Sequence, residues 1–204
     1  MHYGELITDN IAFSALRTEC NEVFDTNQRL PGKVFRPNFA KYYAFEHGQI
    51  FRKDFASFLT NVARVFADSS VNYMTLDPDP VEYYRKNCGF YGLASFKPVN
   101  LMDSYLKVMS REGNADSFRA RGGDVGVLWG SSLNWGIFCD RRSWDVCLMG
   151  ASFELDHSIL NEVGCMDADR LKLYLLHQYQ NRHVVAVEFL KKLDMTYPTL
   201  RYQH

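Results

Sequence analysis

Three side chains in the second half of the chain have the chemistry for nucleophilic catalysis: the thiol of Cys147, the carboxylate of Asp156 and the imidazole of His157. A Cys-His-Asp set works when the imidazole takes the thiol proton and the acid orients the imidazole. Here the set forms only if the chain folds His157 back against the segment carrying Cys147. That segment is apolar, and a thiol in apolar surroundings is ordinarily inert core, because a low thiol pKa needs an electropositive, partly exposed site. No serine sits in a G-x-S-x-G turn; Trp129-Gly130-Ser131-Ser132 is only superficially similar. The six histidines, at 2, 47, 157, 177, 183 and 204, form no H-x-x-x-H or H-E-x-x-H pair, and the five cysteines form no C-x-x-C. His177 and His183 lie on different sides of a continuous helix at that spacing. No metal site is therefore expected. Asp77 and Asp79 each precede a proline, and Asp79 has a helix to cap, so the pair is structural. Gly122-Gly123 leads into a strand rather than a helix and lacks a following Lys-Ser/Thr, which argues against a phosphate cradle. No cofactor is implied.

These residues are positioned by the stretch from Asp124 to Gly150, which carries all three tryptophans. Trp135 to Asp140 and Trp144 to Met149 read as two strands of a hairpin joined by Arg141-Arg142-Ser143. Alternation puts Trp135, Ile137 and Cys139 on one face of the first strand, and Trp144, Val146 and Leu148 on one face of the second. Phe138, Cys147 and Met149 make the opposite faces apolar too, so both sides of the sheet need cover from helices, another sheet or a partner. Val125 to Ser132 is a third strand, in which Gly126 and Gly130 leave room for another backbone or a bulge.

Elsewhere, Asp9 or Asn10 caps a helix to about Thr26, and a stronger helix starts near Asp54 with Phe55, Phe58, Leu59, Val62 and Phe66 on one stripe. The aromatic segment from Leu30 to Phe45 reads as strand or irregular cover. Val71 to Leu76 and Phe90 to Phe96 are strands, separated by a short helix with Asp79 as N-cap, Pro80 at N1 and Gly89 closing it. Asn100 and Asp103 open a helix bearing Leu101, Tyr105 and Met109, and Ser110 to Gly123 reads as a mobile loop. Asp167 caps a helix to about Tyr179. His183 to Leu193 fits either a strand or a helix, and its length and terminal Lys191-Lys192 favour the helix. The expected fold is α+β: one domain with a mostly antiparallel sheet of about five strands, covered by helices.

At 204 residues with a formal net charge of -1, the chain has one core's length and no basic excess to favour nucleic acid. Arg119 and Arg121, with Arg141 and Arg142, are too few to make a track. The start lacks a basic and then apolar leader, and no run reaches the roughly 20 apolar residues of a membrane span. The expectation is a cytoplasmic protein without membrane attachment, its five cysteines reduced.

One feature stands out. Trp129, Trp135 and Trp144 adjoin Asp140, Arg141, Arg142 and Asp145 at the hairpin; aromatics build cores first, so core packing is the commoner use of each tryptophan, while Trp and Arg are also residue types that dominate protein interfaces. The run from Trp135 to Gly150, W-G-I-F-C-D-R-R-S-W-D-V-C-L-M-G, together with the D-P-x-x-Y-Y element from Asp79 to Tyr84, resembles small bacterial immunity proteins. Cys139 and Cys147 depart from that pattern. The resemblance implies a non-catalytic cytosolic protein that neutralises a toxin by binding it, and it assigns no individual binding residue. Three readings follow: a binding protein acting by protein–protein contact, a small hydrolase or transferase built on Cys147, Asp156 and His157, and a homo-oligomer subunit whose two-sided sheet is completed by self-association.

Overall fold

The computed structural model describes residues 6–109 and 124–200. The expected loop from Ser110 to Gly123, with Arg119 and Arg121, lies outside the described residues. Asp9 accepts a hydrogen bond from Ala12 N and so caps α1 (Asn10–Val23). An irregular aromatic segment leads to β1 (Lys41–Glu46), then α2 (Lys53–Val65) and β2 (Val71–Asp77). Asp79 accepts from both Val81 N and Glu82 N, opening a π-helical turn at Pro80–Arg85 that runs into α3 (Lys86–Cys88) and ends at Gly89, φ 78°. There follow β3 (Leu93–Phe96), α4 (Leu101–Met109), β4 (Val125–Gly130), β5 (Trp135–Asp140), β6 (Val146–Ala151), α5 (His157–Asn161), α6 (Ala168–Gln178) and α7 (His183–Thr196).

Among the described residues, six strands form one antiparallel sheet in the order β1-β6-β5-β4-β2-β3. The fold is α+β, with one strand more than the sequence suggested. The added strand is β1, whose Tyr42, Tyr43, Ala44 and Phe45 are all buried and so show no polar alternation. His183 to Leu193 is helix, the alternative that its length and terminal lysines favoured. Two further expectations change. Asp54 lies in the first turn of α2, whose cap position is Arg52 without a side-chain bond. The hairpin turn runs from Arg141 to Asp145, so Trp144 belongs to the turn; Asp145 takes φ 51°, the left-handed conformation that ends strand geometry.

Both sheet faces are covered within the chain. One packs Ile137, Cys139, Cys147 and Met149 under Phe55, Phe58, Leu59 and Val62 of α2, Tyr105 of α4 and Leu160 of α5. The other packs Trp129, Phe138, Val146 and Leu148 under Cys20 and Val23 of α1, Leu171 and Leu175 of α6, and Phe189 and Leu193 of α7. The edges are covered as well. Met166 bridges Ala44 on β1, and Leu6 bridges Ala94 on β3, with Ile7 N donating to Leu93 O at 3.1 Å. The sheet therefore has no bare apolar face to motivate self-association. Among the described residues no helix is long and apolar enough to cross a membrane.

Candidate functional site

The β5–β6 turn is held from three sides. Arg141 N and Arg142 N both donate to Asp124 O, at 2.8 and 3.3 Å, which ties the turn to the start of β4. Arg142 Nη1 reaches Asp77 Oδ2 at 2.7 Å, linking it to the end of β2. On the α6–α7 side the Trp144 ring stacks on Phe189 with centroids 3.8 Å apart and meets Tyr179 edge-on at 5.4 Å, while Tyr179 Oη donates to Ser143 O at 2.9 Å. The turn is thus a braced structure with Arg141, Arg142 and Ser143 exposed at its tip. Among the described residues the Arg141 guanidinium has no ion-pair partner within 4 Å.

Beneath the tip lie groups whose proximity no spacing in the sequence announced. His47 N donates to Asp145 O at 3.0 Å, and the His47 Nδ1 to Asp145 Oδ1 distance is 4.0 Å. Tyr174 Oη donates to the Asp145 carboxylate at 3.2 Å. Burial, reinforced by the Arg141 charge, lowers the His47 imidazole to about 4, so it is neutral near pH 7; its Nε2 is buried and makes no hydrogen bond. Burial pushes the Tyr174 hydroxyl up, and the Asp145 charge adds to it. Asp140 is fully buried, with Oδ1 accepting from Ser143 N at 2.9 Å and Oδ2 making no hydrogen bond. Burial raises its carboxyl above the usual range against the opposing effect of the Ser143 hydrogen bonds and of Arg29 and Arg142. The only sequence signal for this cluster is Asp145, an acid at a hairpin turn.

The expected binding residues divide. Arg141 and Arg142 are exposed and Trp144 is half-buried. Trp129, Trp135 and Asp140 have no exposed surface, so they act from inside. Trp135 Nε1 donates to Asp68 Oδ2 at 2.7 Å while Asp68 Oδ1 accepts from Ser132 N at 2.6 Å, locking the α2–β2 turn onto the β4–β5 turn. Trp129 Nε1 donates to Glu19 on α1 at 3.3 Å. Strand alternation explains the outcome, because on a sheet covered on both faces every strand position points into a core.

The catalytic set is not assembled. Cys147 is fully buried opposite Cys139, and burial followed by its hydrogen bond with Cys139 raises its thiol well above the ordinary range. Asp156 caps α5 through Ser158 N and Ser158 Oγ, bonds that lower its carboxyl, and both Asp156 and His157 are exposed while Leu160 turns into the core. A thiol without solvent access and with a raised pKa is not a nucleophile. Among the described residues no group of three or more His, Cys, Asp or Glu side chains could hold a metal ion. No protein-family model, curated protein or solved structure matches the chain. The immunity-protein resemblance therefore rests on the sequence patterns at Trp135 to Gly150 and Asp79 to Tyr84 alone.

Proposed function

We propose that the chain is a binding protein that acts by protein–protein contact through the β5–β6 turn, with toxin neutralisation as the specific form the sequence resemblance suggests. The observation that carries this reading is the braced turn itself: two adjacent arginines are presented at a tip whose backbone and Trp144 are already immobilised by Asp124, Phe189 and Tyr179. A preorganised loop loses little conformational entropy on binding, and exposed Arg beside a partly buried Trp is the composition of an interface anchor. The Arg141 charge, which has no ion-pair partner within 4 Å among the described residues, fits a partner that is acidic at the contact.

The test is calorimetric titration of the purified chain with a protein that it pulls down. Arg141→Glu combined with Arg142→Glu is expected to weaken binding by about 100-fold or more while leaving the chain folded by circular dichroism, since the exposed Arg142–Asp77 pair contributes little and the backbone bonds of the turn to Asp124 remain. Unaltered affinity in that double variant would rule out the turn as the contact.

A further inference from the structure

Helix α7 has an inner face, Ala186, Phe189 and Leu193, buried on the sheet, and an outer face that also carries apolar side chains. Val184 is 71% exposed, Val187 44% and Met195 75%. At about 100° per residue, Val184, Glu188, Lys191 and Met195 fall within about 60° of one another, directly opposite the buried stripe. The order along this outer stripe is apolar, acidic, basic, apolar.

That order is complementary to itself when reversed. Val184 and Met195 are equidistant from the point midway between Phe189 and Leu190, and so are Glu188 and Lys191. A two-fold axis through that point lays a second α7 antiparallel on the first. Val184 then meets Met195 of the second copy, and Glu188 meets Lys191. Lys192 lies on the same flank as Glu188 and adds a second cation across the axis. Glu188 and Lys191 of the two copies come to the same height along the axis and the apolar ends cover each other, the self-matching that an isologous contact requires. A foreign partner would impose no such reversal symmetry on a single helix.

We propose that the outer face of α7 is the contact surface of a two-fold symmetric dimer of this chain. The contact is separate from the sheet, whose faces and edges are covered, and from the β5–β6 turn, so it stands or falls independently of the binding reading above. Two helices of this length bury less than a standard interface, which implies a weak, reversible dimer.

Sedimentation velocity of the full chain, from about 1 µM to several hundred µM, reads this directly. The expected result is a monomer–dimer equilibrium that Met195→Glu abolishes. Lys191→Glu with Lys192→Glu should weaken it by about tenfold or more, and adding Glu188→Lys should restore it to within about threefold. All four positions are exposed, so unchanged circular dichroism and melting accompany each variant. A chain monomeric throughout the range, a dimer indifferent to Met195→Glu, or a triple variant no better than the double would each overturn the proposal.

Discussion

Asp68 shows how a single carboxylate organises one end of the sheet. It is 8% exposed, and its two oxygens take the Trp135 indole N–H and the Ser132 amide. Removing it strands the buried Trp135 indole N–H, at about 1–3 kcal/mol for an unpaired buried donor, and takes the acceptor from the half-buried Ser132 amide. Asp68→Ala is accordingly expected to lower unfolding free energy in urea by about 3 kcal/mol. A loss under about 1 kcal/mol would mean that water replaces both bonds. The same residue accounts for Gly130. A β-carbon there would overlap the Asp68 carboxyl group, and one on Gly126 would lie 2.8 Å from the Tyr73 hydroxyl. The glycines of β4 leave room that side chains rather than a second backbone occupy, and the bulge their spacing also suggested is present beside Gly126, where the β2–β4 register shifts between Thr75 and Asp77.

At the scale of elements, what could be read in the sequence depended on whether the deciding contact was local. The extent of β5, the cap of α1 by Asp9, the cap of α6 by Asp167 and the Asp79-Pro80 helix start all follow from neighbours within four residues, and each forms as expected. Strand β1 was ambiguous because burial on both faces erases the period-two signal. Trp144 looked like a strand residue from its propensity, but the left-handed Asp145 separates it from β6 and its ring packs on Tyr179 and Phe189, far along the chain. The sealing of Cys147 is likewise a tertiary fact, since it needs α2, α4 and α5 in place over β6. That sealing has a measurable consequence. Native protein treated with iodoacetamide at pH 7.5 should leave Cys139 and Cys147 unmodified by peptide mass mapping, whereas both react after denaturation; labelling of Cys147 in the native state would reopen the thiol chemistry considered and set aside above.

For the molecule as a whole, the groups buried beneath the hairpin couple folding to pH. His47 links the end of β1 to the β5–β6 turn through its backbone bond to Asp145, and its ring is 2% exposed with Arg141 nearby. In the unfolded chain a histidine binds its proton near pH 6.5; in the folded chain this one does so only near 4. Between those values the unfolded state holds more protons, so stability falls as pH falls from 6.5 to about 4 and the contribution is constant below that. At about 1.4 kcal/mol per pH unit, the gap corresponds to a loss of about 3 kcal/mol. Asp140 acts in the opposite sense. Its raised carboxyl pKa means the folded state binds the extra proton, so its part of the stability increases as pH falls through its folded pKa toward the unfolded value. The two buried groups therefore partly cancel in the acid range, and the wild-type curve alone does not separate them. His47→Phe removes only the first, and the neighbouring Phe51 ring offers an apolar contact for the replacement. Urea titrations at pH 7 and pH 4.5 should show the variant losing about 2 kcal/mol less than wild type between the two conditions. Equal losses would mean that His47 is already solvated in the folded protein, and that the turn carrying Arg141 and Arg142 is less firmly closed over the end of β1 than its hydrogen bonds imply.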